Sequence, residues 1–438
     1  MNISSPAIKP DVTLSLTLSS STSSTTTTTD ASTDALNPKE RGVKLIQLLL
    51  TCANHASTGN LHHADACLSQ ILQLASITGD SMQRLAAWFA SSLAIRLVKR
   101  WPGIYKALNH GVPVPSRIVD LDQSRIIFAK AFPYLGLAYA VINRVLIQAM
   151  SEDRIIHIVD LGSGDTKLWI PFLKNIVNLP NETPNLKITC VNNNKAMLEE
   201  MASRIKKEAK ALDISFQFNS LNVDLRELTL DMLKVKAGES LAFVSVLNLH
   251  VLLVEDDRIN SQFNLNKNNN NNNVKDCKRM SEFLTMLHSL SPKVLILVEQ
   301  EADHNLSKLV DRFVEGLHYY SALFDSIDTT FKGSNCSLCE ERVAVEQMLG
   351  KEIENMVACE GLEREERHER FGKWIVRLTR GGFRPVRLWY DIMEDAKRLV
   401  EAYGGDGYKI ISQKGSLMIC WHDRPIYSVS AWNCAFIN

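Results

Sequence analysis

Ile155-Ile156-His157-Ile158-Val159-Asp160-Leu161-Gly162-Ser163-Gly164-Asp165-Thr166 decides how this chain is read. Six largely apolar residues ending in an acid describe a buried strand, and two glycines then allow a sharp turn into a helix. In sheets of alternating strands and helices, such a turn is where a nucleotide-type cofactor approaches the backbone and the positive end of the next helix. Asp160, Gly162 and Gly164 are therefore the candidate contacts of a small ligand or of S-adenosylmethionine.

The rest of such a site is not written in the chain. Thr166 stands where a third small residue is expected, and Thr189-Cys190-Val191-Asn192-Asn193-Asn194 ends the next strand without a carboxylate for ribose hydroxyls. Asn248-Leu249-His250 lacks the prolines of an amino-methyltransferase signature, and no Pro-Cys nucleophile occurs. The expectation is thus no catalytic residue, no resident cofactor and no metal, with ligand binding at the glycine turn as the alternative. Glu299, Glu301, Asp303 and His304 could serve acid-base or metal chemistry, but the simpler reading has them capping the next helix and facing solvent.

Outward from the turn, short apolar runs alternate with amphipathic segments, the pattern of a mostly parallel sheet covered by helices. Strands are expected at 155–160, 186–191, 215–218, 241–249 and 294–299, with helices at 195–211 and 305–324. A hairpin at 408–412 and 417–421 around Gly415, followed by an apolar run at 426–432, closes the sheet in the manner of a class I methyltransferase. From Arg41 to Met150 the apolar period is helical, with Leu45, Leu48, Leu49, Cys52, Ala53 and Ala56 on one stripe. The fold class is therefore α/β and Rossmann-like, with a helical cap at 39–150 and a core at 151–438.

The 438 residues carry 49 basic and 49 acidic side chains, so no net field draws the chain to nucleic acid or an anionic membrane. Any association with DNA is expected to be indirect. No apolar run approaches the roughly 20 residues of a membrane span. Nine cysteines, odd in number and scattered, argue for reduced thiols. Cys336-Ser337-Leu338-Cys339 alone has ligand-like spacing, without the second pair a zinc ribbon needs.

Residues 1–38 are a serine- and threonine-rich tail expected to be disordered, and the asparagine run inside 257–276 reads as a flexible loop. Within the tail, Leu14, Leu16 and Leu18 alternate as an extended segment that could dock in a partner's groove, and they resemble an LxLxL repression motif, which implies a corepressor partner. Leu45-Ile46-Gln47-Leu48-Leu49 has the spacing of a helical co-regulator box, although its leucines also suit the cap's own core. Glu363 to Arg370, almost entirely charged, reads as a solvated helix laced by i,i+4 pairs. Trp374, Trp389, Trp421 and Trp432 read as core or interface anchors.

Taken in order, these segments resemble the plant GRAS family from about Arg41 to the C-terminus. Leu45 to Leu108 resembles the first leucine-rich region, and Ile156-His157-Ile158-Val159-Asp160 resembles the VHIID signature, with His157 and Asp160 its polar members. The second leucine-rich region would span Leu186 to Met232, and the PFYRE region would run from Ser240 to near Glu369. Ser430, Ala431 and Trp432 spell the terminal SAW motif, and several tracts are similar to the scarecrow-like subgroup. The resemblance implies a nuclear transcriptional co-regulator in gibberellin-responsive growth. Its implied partners are zinc-finger transcription factors and other GRAS proteins, gibberellin-pathway repressors among them, with homo- or hetero-dimers as one form of association.

Overall fold

The computed structural model describes residues 37–101, 103, 121–179, 182–255, 274, 276–331, 340–388, 390–403 and 406–434. Leu14, Leu16, Leu18, the Cys336/Cys339 pair, the asparagine run and Trp389 lie outside them.

Five parallel strands form one half of the sheet: β1 (Ile155–Asp160), β2 (Asn185–Val191), β3 (Phe216–Leu221), β4 (Ser240–Val246) and β5 (Val294–Gln300). The order β3-β2-β1-β4-β5 continues through an antiparallel half of β9 (Arg424–Cys434), β8 (Ser416–Trp421) and β7 (Tyr408–Gln413), with β6 (Phe383–Val386) on β9. Chain order reverses between β1 and β4, so a crevice opens beyond their carboxyl ends. The strands alternate between two apolar layers as the pleat requires. Ile156, Ile158, Val244 and Ile296 face one, while Val159, Phe243 and Leu297 face the other.

The first layer meets α1 (Pro38–Thr58), α2 (Leu61–Leu74), α3 (Ser81–Lys99), α4 (Leu121–Ala131), α5 (Pro133–Met150) and α6 (Thr166–Ile176). Asn37 accepts from the Glu40 amide at 2.9 Å to cap α1, and Asp80 forms a reciprocal capping box with Gln83 on α3. Then come α7 (Lys195–Ala211), the single turn α8 (Leu230–Leu233), α9 (Lys278–Ser289), α10 (Leu309–Phe331), α11 (Glu340–Ala358), α12 (Phe371–Arg380) and α13 (Tyr390–Tyr403).

The cap is not drawn from the N-terminal segment alone. Helix α11 packs on α3, and α10 packs on α1 and α3. Buried Arg84 of α3 joins the three, donating to Glu346 Oε1 at 2.8 Å, to Asp328 and to the Gly79 carbonyl at 2.6 Å. Small residues permit the close crossing: a Cβ on Gly350 would lie 2.3 Å from the Trp88 ring, and one on Gly316 2.4 Å from Met356. Conversely α5, inside the expected cap range, packs on the core sheet and on α6 and α13.

Several expectations are corrected. Strand β4 stops at Val246, because Leu247 adopts φ 52° and the chain enters a short 3₁₀ turn, Leu249–Leu253. The helix expected at 305–324 runs from Leu309 to Phe331. The segment 363–370 is not a solvated helix. A 3₁₀ turn at Gly361–Glu363 leads into extended chain, and Arg364, Arg367, His368 and Glu369 are buried. Each charge there finds a partner that local periodicity cannot show.

Candidate functional site

At the crevice the glycine turn has the expected backbone, with Gly162 at φ 104° and Gly164 at φ 61°. Its acid is turned inward. Asp160 Oδ1 accepts from the amides of Gly162 (3.1 Å) and Ser163 (2.7 Å), while Oδ2 accepts from Trp169 Nε1 (2.8 Å) and the Ser163 hydroxyl. Burial pushes the Asp160 carboxyl up, and these hydrogen bonds oppose that shift. The aspartate is therefore the internal brace of the turn.

The space above the glycines belongs to this chain's own side chains. Asn248 Nδ2 donates to the Leu161 carbonyl at 2.8 Å and sits where a Cβ on Gly162 would approach to 2.2 Å. A Cβ on Gly164 would come within 2.5 Å of Met197 Sδ, which Asn192 Nδ2 approaches at 3.6 Å. Asp165 caps the first turn of α6 through the Lys167 amide at 2.8 Å. With the glycine faces covered, the helix end capped and no carboxylate at the end of β2, these residues do not fit S-adenosylmethionine.

The other motif residues are framework. His157 Nδ1 donates to Glu239 at 2.9 Å, and its Nε2 accepts from the Thr189 hydroxyl at 2.8 Å, pinning β1 to β2. Burial and then the charge of Lys187 lower its pKa to about 4, against the pull of Glu239, so the ring is neutral. Ser430, Ala431 and Trp432 lie on β9 against β5, and the Ser430 hydroxyl accepts from Trp432 Nε1 at 2.9 Å. Leu45 and Leu49, candidates for a partner groove, are fully buried in the cap, and Leu48 packs half-buried against the same core. A helix that commits these leucines to its own core cannot also present them to a partner without unpacking.

A second constellation, not assembled by the sequence, closes the crevice beyond β4 and β5. Glu299, at the end of β5, is fully buried; its Oε1 accepts from the Leu249 amide at 2.9 Å and its Oε2 from His250 Nδ1 at 3.2 Å. The extended strap 364–369 crosses this mouth and brings His368 against His250, ring centroids 3.8 Å apart and planes tilted by 39°. His368 Nδ1 lies 3.6 Å from Glu299 Oε2, and its Nε2 lies 2.8 Å from Glu366 Oε2. Burial alone would lower the pKa of His368, but Glu299 and Glu366 hold it up to about 9.

The strap is held by arginines. Glu369 takes two hydrogen bonds from Arg377, at 2.6 and 2.9 Å, and one from Asn305 at 2.8 Å. Arg367 donates to the carbonyls of Glu255, Gly361 and Arg364, and Arg364 to that of His304. Beside Glu366 opens a cleft of about 280 Å³ lined also by Glu352, Glu354, Asn355 and Cys359. Burial, then the charge of Glu366, pushes the Glu352 carboxyl up.

The predicted solvent-facing acids after β5 are thus corrected too. Glu299 and His304 are fully buried; Glu301 accepts from the Phe371 amide at 2.7 Å and Asp303 pairs with Lys373 at 2.6 Å. Glu301 does cap a helix, but it is the distant α12, not the helix next in sequence. His250 stands in the sequence only as the end of a strand without proline, and Glu366 and His368 only as part of a charge run. The sole hint is that the run contains a histidine and begins two residues after Gly361, a poor helix former.

Comparison with known proteins agrees with this architecture. The model of the GRAS domain family matches residues 45–433. Scarecrow-like protein 3 of Arabidopsis thaliana is 40% identical over 91% of this chain and 90% of its own, and DELLA protein RGL1 of the same plant is 32% identical over 91% and 71%. The crystal structure of SCL7 of Oryza sativa superposes with a TM-score of 0.73 at 28% identity, covering 89% of this chain and 99% of that one. By sequence, by motif order and by fold, the chain belongs to the GRAS domain family.

Proposed function

We propose that this protein is a nuclear transcriptional co-regulator that works by binding other proteins, with its Rossmann-like core as scaffold. GRAS-family homologues are plant transcriptional regulators. The observation that carries the reading is the turn after β1, where Asn248 and Met197 pack against the glycine faces on which a Cβ would project. With equal numbers of acidic and basic side chains, DNA contact is assigned to partners: zinc-finger transcription factors and other GRAS proteins, including gibberellin-pathway repressors. The DELLA proteins among the relatives support a place in gibberellin-responsive growth.

On this reading the partner surface includes exposed apolar residues of the cap. Val43, near the start of α1, and Leu72 and Ile77, at and just beyond the end of α2, are 46%, 68% and 65% exposed. The two helices pack together across the short Gly59–Asn60 link, which puts all three near one end of the pair. Leu14, Leu16 and Leu18 supply a corepressor segment, and alanine at those three positions is expected to abolish repression in a reporter assay.

The test of the whole reading is partner dependence. Full-length protein purified from plant nuclei should carry zinc-finger or GRAS partners and occupy target DNA only with them. Tight binding of a specific duplex by the purified chain alone, at physiological salt, would defeat it.

A further inference from the structure

We propose that His250, Glu366 and His368 form a binding site for one divalent transition metal ion, zinc by the nature of the donors, with Glu299 orienting both imidazoles from behind. One ligand atom from each of the three residues lies within 4.8 Å of the others. Glu366 Oε2 is 2.8 Å from His368 Nε2 and 3.7 Å from His250 Nε2. Tetrahedral zinc with bonds of about 2.0–2.2 Å separates its ligand atoms by roughly 3.3–3.5 Å, so the observed pair distances bracket the required ones.

The roles of the ring nitrogens are those of metal-binding histidines. Both Nδ1 atoms face Glu299 Oε2, at 3.2 and 3.6 Å, and both Nε2 atoms face Glu366. Glu299 accepts from His250 Nδ1, which fixes the tautomer that offers His250 Nε2 to an ion, and stands behind His368 at the longer distance. His368 Nε2 donates to Glu366, and a bound ion takes the place of that proton. Glu299 is itself held by the Leu249 amide and cannot swing away without leaving that donor unpaired.

Two independent observations support a polar occupant with a route to solvent. Buried His304, whose ring centroid is 5.8 Å from that of His368, has neither ring nitrogen bonded to protein among the described residues. Within the cluster itself His368 Nδ1 is likewise without a hydrogen-bond partner among the described residues. Glu366, a quarter exposed, also lines the 280 Å³ cleft, so its carboxylate is reached from solvent. Mixed imidazole and carboxylate donors suit zinc and its first-row neighbours better than calcium or magnesium. Bound there, the ion would clamp the strap 364–369 onto the end of β4, two parts of the chain more than a hundred residues apart.

The experiment is titration of chelator-stripped full-length protein with Zn²⁺ and Co²⁺, followed by calorimetry and visible absorption. One ion per chain at micromolar or tighter affinity is expected, with cobalt bands of a four-coordinate site. His250→Gln and His368→Gln should each weaken binding at least 100-fold, and Glu299→Gln roughly 10- to 100-fold, in variants that keep the wild-type circular dichroism. Should those variants fail to fold, X-ray absorption of the wild-type zinc form decides, with imidazole and oxygen ligands expected. Absence of saturable binding to folded wild type, or sulfur in the coordination shell, overturns the proposal. So does binding that survives both histidine changes or vanishes in a Cys336→Ser/Cys339→Ser variant.

Discussion

The turn after β1 and the mouth beyond β4 and β5 lie at the same edge of one sheet, yet they reverse the roles their sequences suggest. The turn has the glycines of a ligand loop, yet Asn248 and Met197 pack against them and Asp165 caps the helix that follows. The mouth is written as an ordinary strand end and a run of surface charge, and it gathers two histidines and Glu299 out of water with Glu366 at the rim. Glycine pattern reports what a backbone can do, whereas a concentration of buried charge reports what the fold sustains at a cost in desolvation.

The comparison breaks most readily at the strap. Arg377→Ala leaves Glu369 buried without its two guanidinium hydrogen bonds, and a loss of about 3–5 kcal/mol in urea unfolding is expected. A change below 1 kcal/mol would mean the strap is not held by that pair. At the turn, Gly162→Ala combines an unfavourable φ with overlap on Asn248, for an expected loss of about 2–4 kcal/mol. Adding Asn248→Ala should recover the overlap part only; if the single variant instead proves neutral, the space is open and ligand binding there returns.

A smaller effect concerns acid. His157 is neutral in the fold with a pKa lowered to about 4, while the unfolded chain protonates it near the usual 6.5. Between those values the unfolded state binds more protons, so stability falls as pH drops from about 6.5 to 4, by at most about 3 kcal/mol, and this contribution levels off below. His157→Gln, which can still bond Glu239 and Thr189, should flatten that part of the stability-pH curve. An unchanged slope would assign the acid sensitivity elsewhere. The smallest effect is expected at the cap surface: Leu72→Lys should alter stability by no more than about 0.5 kcal/mol yet weaken partner capture. Unchanged capture would remove that face from the partner surface.

Much of the core was legible because its signals are local. Strand β1 and helix α7 sit where a short apolar run closed by an acid and a 3.6-residue apolar pattern put them, and the Tyr408–Trp421 hairpin follows from two apolar runs around a glycine. The charged strap was misread for the same reason. Arg364, Arg367 and Glu369 resemble surface residues until the Glu255 carbonyl, the His304 carbonyl and Arg377 are placed around them, and two of those three lie more than fifty residues away in sequence. Leu45 and Leu49 fit both a docking box and a core stripe, and only packing against the rest of the cap distinguishes the two.

By itself, the sequence determined the α/β class, the order of the motifs and the turn after Asp160, since these follow from hydrophobic period and glycine conformation. Tertiary structure alone decided that Asp160 braces the turn instead of facing a ligand, that α11 completes the cap, and that His250, Glu299, Glu366 and His368 meet. Periodicity records which face of an element is buried; it carries no information about which distant polar groups are buried together. That pairing is set by long-range chain topology, and in this protein it is where the unexplained chemistry lies.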